Sequence, residues 1–531
     1  MAKQRDPNAL RQALASSDFT PPVRDTARLL SLFADPDEEV VENVERALLR
    51  AAKGGGDIED RVVAELPSLV PAAKARALRV LGALGAQGVS AGHAVVSALS
   101  DGNLAVERAA AHALGRMARS PLADEMRRAL LDRWDRGGDG TLTRAIAEAL
   151  GKLGALEAKE RLVRAAKGDD ELARIARRAV LMLERDGTRG EESAIAGERS
   201  IDRELVVILW CRAGLERFVR EELTERAPGA HFLRDEEGEV TIRWKGAPSD
   251  LLRLRTILGL AFPVPVTATA DAAGAIVAAL SSDLASTIAD TWTRGAVRYR
   301  IAWEGRGHKR GETWRLAGAL KEARPTWIND PTDSTWQVTL RRSGDSVLLV
   351  PKKLVDGRFS YRVADVPAAS HPTIAAALVR ASRPAKGDVV WDPFVGAGTE
   401  LVERRAFGPV AALIGTDTDE SALARARQNG LGDALLEVAD ATTYVPRERV
   451  NVIVTNPPMG RRVARDGSLA DLLDAFTDHV AVVLAKGGRL AWLSPLGGRT
   501  AARAEANKLR VTLRQRVDMG GFDAELQVWE A

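Results

Sequence analysis

The sequence predicts a multidomain chain: an N-terminal array of stacked α-helices, a middle α+β region, and a C-terminal α/β domain on a doubly wound parallel sheet. Three observations predict it. Ala- and Leu-rich helices recur with Leu48, Leu81, Leu114, Leu150 and Leu181 as equivalents, at spacings of 33, 33, 36 and 31 residues, the signature of a solenoid. After residue 200 the pattern changes to short alternating strands. From Asp388 onward strand and helix alternate regularly, as a parallel sheet requires. The 531 residues suit about three domains at ~150 residues each.

The first element, residues 1–190, repeats similar helix endings such as Arg79-Val-Leu-Gly-Ala-Leu-Gly85, His112-Ala-Leu-Gly-Arg116 and Glu148-Ala-Leu-Gly-Lys152. Acidic or glycine turns at Asp35, Asp101-Gly-Asn103 and Asp169-Asp-Glu171 place Asp or Asn where they cap free amides of the next first turn. The small Ala and Gly positions let paired helices approach closely. Residues Glu184–Ser200 carry almost no apolar periodicity and read as an exposed linker. The second element, residues 201–366, opens with a strand at Leu205–Trp210, a helix Leu215–Leu223, a strand Val240–Trp244 and a helix Asp250–Leu258. Further strands are expected at Val297–Trp303, Trp336–Leu340 and Ser346–Val350. The third element, residues 367–531, is the parallel α/β domain.

Composition excludes several classes. One cysteine, Cys211, makes neither a disulfide nor a thiolate cage, and six scattered histidines suggest no metal site. The longest apolar stretches, such as Ala272–Leu280, fall short of the ~18 residues of a membrane span, and the N-terminus lacks an apolar signal core, so no membrane association and a cytoplasmic location are expected. Net charge is only +3, yet Arg294–Arg362 holds 15 Lys or Arg against 7 Asp or Glu. Five of the eleven tryptophans, Trp292, Trp303, Trp314, Trp327 and Trp336, lie in or beside that stretch. Cations that meet phosphates, interleaved with aromatics that stack on unpaired bases, suit RNA. Arg298, Arg300, Trp303, Lys309, Arg310, Trp314 and Arg315 are the candidate RNA contacts. The competing reading places alternate tryptophans in a sheet core.

The chemistry concentrates in the last element. The strand Val389-Val-Trp-Asp392 runs into Pro393-Phe-Val-Gly-Ala-Gly-Thr399 and a helix, bringing bare backbone amides to a ligand. The third glycine of a dinucleotide fingerprint and the Gly-Lys-Ser/Thr end of a phosphate loop are both missing. The next strand ends at Asp417, about 20 residues on, where a carboxylate grips ribose hydroxyls. A further strand region ends at Asp440, and Asn451-Val-Ile-Val-Thr455 delivers Asn456-Pro-Pro-Met459 at a strand's C-terminal edge.

These pieces, in this order, resemble S-adenosylmethionine-dependent methyltransferases of exocyclic amino groups. Asp392-Pro-Phe-x-Gly-x-Gly-Thr399 is similar to the cofactor motif of RNA guanine-N2 methyltransferases, and Asn456-Pro457-Pro458 to their catalytic Asn/Asp-Pro-Pro-aromatic motif. The resemblance implies a class I, Rossmann-like methyltransferase domain using S-adenosyl-L-methionine. Gly396 and Gly398 would lie against its methionine part, Asp417 would bind the ribose and Asp440 would contact the adenine, with Asp392, Pro393, Phe394, Thr399 and Asn456 completing the site. An aromatic amine is a poor nucleophile, so a site must align it and stabilise the positive charge that develops on nitrogen. The Asn456 side-chain carbonyl and the Pro457 carbonyl suit that task. Met459 stands where the family has an aromatic that stacks on the base; a thioether also lies on rings.

The array resembles HEAT-type repeats, which implies a protein partner or further RNA surface. The middle region, with Gly214-Leu-Glu216, Leu254-Arg-Thr256 and Ile328-Asn-Asp-Pro331, resembles the ferredoxin-like and THUMP region of the same enzymes, and Arg362 through Leu378 their connector helix. The resemblance therefore implies a structured RNA substrate, tRNA or rRNA. DNA adenine or protein glutamine methylation, or a catalytically weak scaffold, are the alternatives.

Overall fold

The computed structural model describes residues 7–16, 19–53, 57–85, 88–168, 170–187, 190–305, 309–367, 369–460 and 468–531. They fall into two compact units, Met1–Glu191 with Lys309–Asp330, and Glu192–His308 with Pro331–Ala531. Asp169 and the Arg306-Gly-His308 part of the basic stretch lie outside the described residues.

In the first unit the described residues from Pro7 to Gly187 form helices and short turns. Successive helices Pro71–Leu84, Leu104–Leu114, Gly140–Lys152 and Glu171–Gly187 pack side by side. Small residues set the spacing at each contact. A Cβ on Gly82 would fall 2.8 Å from the Ala113 Cα, one on Gly115 3.0 Å from the Ala149 Cα, and one on Gly151 2.7 Å from the Ala179 Cα. Capping follows the acidic turns: Asn103 accepts from the amides of Ala105 and Val106, and Asp170 from Ala173.

The helix Arg310–Ala323 groups with this unit rather than with the middle region to which the sequence assigns it. It packs on Glu171–Gly187, where Arg178 stacks on the Trp314 ring at 5.3 Å and Lys321 pairs with Glu184 at 2.9 Å. Sequence neighbourhood put it with the surrounding strands; tertiary packing put it with the helices.

The second unit holds two large sheets. In the first, the strands His231–Glu236, Glu239–Trp244, Leu205–Trp210, Gly259–Pro265, Ser346–Pro351, Trp336–Leu340 and Arg298–Trp303 are neighbours in that order. All neighbours run antiparallel except the last pair, which is parallel. Two expectations fail here. Residues 250–258 are not a helix: a short 3-10 turn ends at Arg253 and the chain then runs extended, because the buried Glu222 carboxylate accepts from both the amide and the hydroxyl of Thr256. The segment after Gly187 is not wholly an exposed linker either. Ser193–Ile195 pairs with Thr293–Gly295, and Ile195 and Ala196 are buried.

The second sheet has the order Leu435–Val438, Ala412–Asp417, Val389–Asp392, Val452–Thr455, Arg489–Ser494, Asp523–Glu530, Arg510–Asp518. The first five strands are parallel, and Asp523–Glu530 runs antiparallel to both its neighbours, so Arg510–Asp518 at the edge points the same way as the first five. The parallel strands are buried on both faces, so neighbours such as Val390 and Trp391 or Val452 and Ile453 enter opposite cores. One core takes the fully buried helix Pro372–Ala381, the other takes Trp391, Phe476, Trp492 and Trp529. The strand order reverses between Val389–Asp392 and Val452–Thr455, and crevices open at the carboxyl ends of strands at such a point.

Among the described residues no single helix is long and apolar enough to cross a membrane; Ala272–Leu280 and Asp283–Thr291 pass that test only as a pair bent by 50°.

Candidate functional site

The strand Val389–Asp392 stops where Gly396 and Gly398 take φ of 49° and 82°, conformations that side chains disfavour. Gly398 also has no room for one, since a Cβ would meet the Leu431 Cδ1 at 2.3 Å. The turn is pinned from below. Val395 donates to the Thr416 carbonyl at 2.9 Å, and the Gly396 amide to the Asp417 carboxylate at 3.0 Å. Buried Asn429 donates to the carbonyls of Ala364 and Ala397 and accepts from the amides of Val363 and Ala364. Each of its four bonding positions is used, which ties the connector to the glycine turn.

Beside this turn, Asn456 leaves the end of Val452–Thr455. Its Nδ2 donates to Ser370 Oγ at 2.7 Å, and Ser370 Oγ in turn donates to the Glu400 carboxylate. Its Oδ1 is buried and has no partner among the described residues. Glu400 is itself buried, and that burial, with Glu403 nearby, raises its carboxyl to about 7. Underneath, Asp392 is fully enclosed and accepts from Thr455 Oγ1 at 2.6 Å and from the Phe394 amide at 3.2 Å. Burial first, and Glu400 second, push the Asp392 carboxyl well above its ordinary range.

Asn456, Ser370, Glu400 and Gly396 line a cavity of about 840 Å³. Asn456, Pro457, Pro458 and Met459 all lie on its wall, as do Pro393, Phe394, Gly396, Thr399, Asp417 and Asp440. Asp440 accepts from the Thr442 amide and hydroxyl, and the hydroxyl bond above all holds its carboxyl below the usual range. Two predicted cofactor residues are not on the wall. Asp392 lies behind it as the anchor of Phe394 and Thr455, and Gly398 is turned into the packing against Leu431 and Ala426. Both shape the turn without reaching the space.

Sequence reasoning missed Ser370, Glu400, Arg212, His371, Met519 and Phe522, which complete the wall. Ser370 and His371 fall within the connector stretch Arg362–Leu378, and Glu400 directly follows the glycine motif. Arg212 arrives because its neighbour Gly214, at φ 92°, lies so close to the strand Arg510–Asp518 that a Cβ would fall 1.9 Å from the Arg516 carbonyl oxygen. Its guanidinium then rests over Gly520. His371 caps the helix Pro372–Ala381; burial, then Arg212, Arg362 and Arg358, lower it to about 4, so it is neutral at pH 7. The middle sheet is clamped to this domain by Arg255, which pairs with the buried Glu403, to which Tyr361 also donates at 2.7 Å.

The arrangement fits the expected S-adenosylmethionine. The cavity size is that of a small-molecule site, the glycine turn and Asp417 line it, and Asn456 on its wall carries a buried carbonyl oxygen without a partner among the described residues.

The seven predicted RNA contacts divide between the two units. Arg298, Arg300 and Trp303 lie on a strand of the second unit, Lys309, Arg310, Trp314 and Arg315 in the first. Arg298 is 2% exposed and is no phosphate contact. Arg300 is held by Gln337 Oε1 at 2.8 Å, and Lys309 lies 3.5 Å from Glu312. Trp292, Trp327 and Trp336 are core residues, whereas Arg310 and Arg315 are exposed.

Residues 360–524 match the family described as RMKL-like, methyltransferase domain. A tRNA (guanine(6)-N2)-methyltransferase of Thermus thermophilus is 35% identical over 130 residues, 23% of this chain and only 38% of that relative's length. A probable tRNA (guanine(10)-N2)-dimethyltransferase of Methanothermococcus thermolithotrophicus is 30% identical over 133 residues, 23% of this chain and 78% of that protein. The crystal structure of TrmN from Thermus thermophilus is similar with a TM-score of 0.51 at 25% identity, covering 62% of this chain and 99% of that one. The strand order, the glycine turn and these likenesses agree, and the chain belongs to the S-adenosylmethionine-dependent methyltransferases related to the tRNA and rRNA guanine-N2 methyltransferases.

Proposed function

We propose that the protein methylates an exocyclic amino group of a structured RNA, the N2 of a guanosine in tRNA or rRNA. One observation carries this reading: the Asn456 amide is held by its nitrogen, which leaves its buried Oδ1, without a partner among the described residues, as the acceptor for a substrate amine. When bound, S-adenosylmethionine supplies an electrophilic methyl on a sulfonium centre. Gly396, Asp417 and Asp440 hold it, and Asn456 Oδ1 with the Pro457 carbonyl accepts the two amino hydrogens. Those bonds direct the nitrogen lone pair out of the ring plane and stabilise the charge that grows on it. Met459, Met519 and Phe522 give the base apolar walls that exclude water.

In the same reading residues 1–190 are HEAT-like repeats, 201–366 a ferredoxin-like and THUMP-like RNA-binding region, and 367–531 the methyltransferase domain, in a cytoplasmic enzyme. Regular Gly-to-Ala helix contacts support the first. The guanine-N2 activities printed for the relatives support the substrate class. The test is incubation with isotopically labelled S-adenosylmethionine and, separately, unmodified tRNA, rRNA, duplex DNA and cell protein, followed by mass spectrometry. Labelled N2-methylguanosine, lost with Asn456→Ala, is expected. Label in DNA or protein instead, or cofactor binding with no label anywhere, overturns the reading in favour of another substrate or of a scaffold.

A further inference from the structure

The inner helices of the first unit share a register. His112, Glu148 and Arg178 each directly precede an alanine, Ala113, Ala149 or Ala179, that meets a contact glycine of the preceding helix. Arg108, Arg144 and Arg174 stand one turn before them, and Arg116 and Lys152 one turn after the first two. Residues four apart share a helix face, so these side chains form rows across adjoining helices. Arg79, three residues before Gly82 as His112 is before Gly115, belongs to the same face. Beyond Arg178 the face continues to Trp314, with Arg310 one turn before it.

The shared register of its arginines sets the face apart. Elsewhere in the unit some cations have carboxylates, as Lys74 with Asp101, Arg133 with Glu107 and Arg161 with Asp135, and others bond backbone carbonyls, as Arg50 with Phe19 and Arg177 with Ala166 and Gly168. On the face, Lys152 takes Glu148 and Arg174 takes Glu171. Arg79, Arg108, Arg116, Arg144, Arg178 and Arg310 make no ion pair among the described residues. Arg79, Arg108, Arg116 and Arg310 are exposed. Arg178 has a buried Nε without a partner among the described residues and lies near Arg174 and Arg310 as like charges and near Glu148 and Glu171 as opposite ones. Burial lowers His112, with Glu148 opposing and Lys152, Arg108 and Arg116 adding to the fall. Cations outnumber carboxylates along the face, and like charges at this spacing oppose the fold that brings them together. Between the helix ends the face exposes no large apolar side chain among the described residues, so it lacks the apolar centre of a protein interface.

We infer that this face is a docking surface for an RNA phosphodiester backbone, with those six arginines as phosphate contacts and Trp314 fixing Arg178. It shares with the proposed function the choice of RNA but not the methyl-transfer chemistry. The surface enlarges the grip on the RNA without reading sequence, since phosphate contacts position and do not specify.

The test uses the full chain with an unmodified tRNA transcript, measuring Kd across a KCl series for wild type, the triple variant Arg108→Glu/Arg144→Glu/Arg178→Glu, and the matching triple Lys variant. We expect the Glu triple to bind at least tenfold more weakly near ~0.1 M salt, with the log Kd against log salt slope shallower by about 2, near 0.7 for each phosphate no longer engaged. The Lys triple stays within about twofold, and S-adenosylmethionine binding by the second unit is unchanged in both. Unchanged Kd and slope in the Glu triple overturn the inference. So does an equal loss in the Lys triple, which signals a structural role, or equal binding of polyglutamate that depends on these arginines, which reassigns the partner. Methylation with no binding that depends on these arginines sinks this inference alone; such binding without methylation by wild type sinks only the proposed chemistry.

Discussion

Asn456 donates to Ser370 across 86 residues of sequence, at 2.7 Å, and this contact decides which way the amide points. Ser370 has one hydroxyl proton, and Glu400 takes it. The Ser370 oxygen is left only as an acceptor, so the nitrogen of Asn456 must face it and the oxygen must point away from it. Removing the hydroxyl removes that instruction. We expect Ser370→Ala to lower kcat for RNA methylation about tenfold, while KM for S-adenosylmethionine stays within about twofold, and Ser370→Thr to restore most of it. Asn456→Ala should cost more, about a hundredfold, the scale of losing one preorganised polar contact to a developing charge. Steady-state kinetics on the transcript separate the two; an unchanged kcat in Ser370→Ala would show that the amide needs no such support.

Glu400 gives the same chain a pH dependence with opposite signs in two readouts. Ionised, it only accepts and so keeps the Ser370 proton directed at it, whereas protonated it can donate to Ser370 Oγ and release that proton towards Asn456; burial raises its carboxyl from 4.5 to about 7, with Glu403 adding to the rise, Arg362 opposing it and Asp392 alongside. Methylation should therefore increase as pH rises through about 7. Stability should move the other way. A carboxyl whose folded value is raised stabilises the fold below its unfolded value near 4.5 and loses that contribution as pH climbs through about 7, a change of roughly 3 kcal/mol. Glu400→Gln should flatten both profiles. Denaturant melts and initial rates between about pH 5 and 9 check it, and parallel profiles in wild type and variant would exclude Glu400 as the titrating group.

The motifs were legible because each is local. Asp392 to Thr399 and Asn456 to Met459 are contiguous runs, and a strand, a glycine turn and a helix in that order announce themselves without a third dimension. Ser370 was not legible, since a serine before His371-Pro says nothing until the sheet brings it beneath Asn456. Arg212 depends on the approach of Gly214 to Arg516, a contact over about 300 residues of sequence. The basic stretch misled in the same way. Charge counted along the chain joined Arg298, which is buried in a sheet, to Arg310, which faces solvent on a helix of the other unit. Burial sorts such residues, and composition does not carry it.

Met459 takes the position where the resembled family has an aromatic ring, and it is half-buried against the core below the cavity, on the same wall as Met519 and Phe522. A thioether gives a base polarisable contact but not a flat face. Met459→Tyr should therefore lower KM for RNA, by about five- to tenfold, within the ~1–3 kcal/mol of a base–aromatic stack. S-adenosylmethionine binding should be unaffected. Calorimetry with cofactor and steady-state kinetics with transcript read the two separately. A rise in KM would mean that the methionine is fitted to its neighbours and that Phe522 supplies the needed surface.

Two glycines of the first unit make opposite predictions from the same substitution. Gly151 sits where the helix Gly140–Lys152 crosses Glu171–Gly187, and a methyl there would lie 2.7 Å from both the Cα and the Cβ of Ala179. The obstacle is backbone, so the helices must separate, and Gly151→Ala should cost about 1–3 kcal/mol. Gly318 lies inside the helix Arg310–Ala323, and a methyl added there would meet nothing within 4 Å. There the substitution only removes freedom from the unfolded chain and improves helix propensity, so Gly318→Ala should stabilise by about 0.5–1 kcal/mol. Urea titrations followed by circular dichroism, which the helical unit dominates, measure both. A neutral Gly151→Ala would mean that the array yields at its contacts, and the shared register that aligns its arginines would then be looser than the close approaches at Gly82, Gly115 and Gly151 imply.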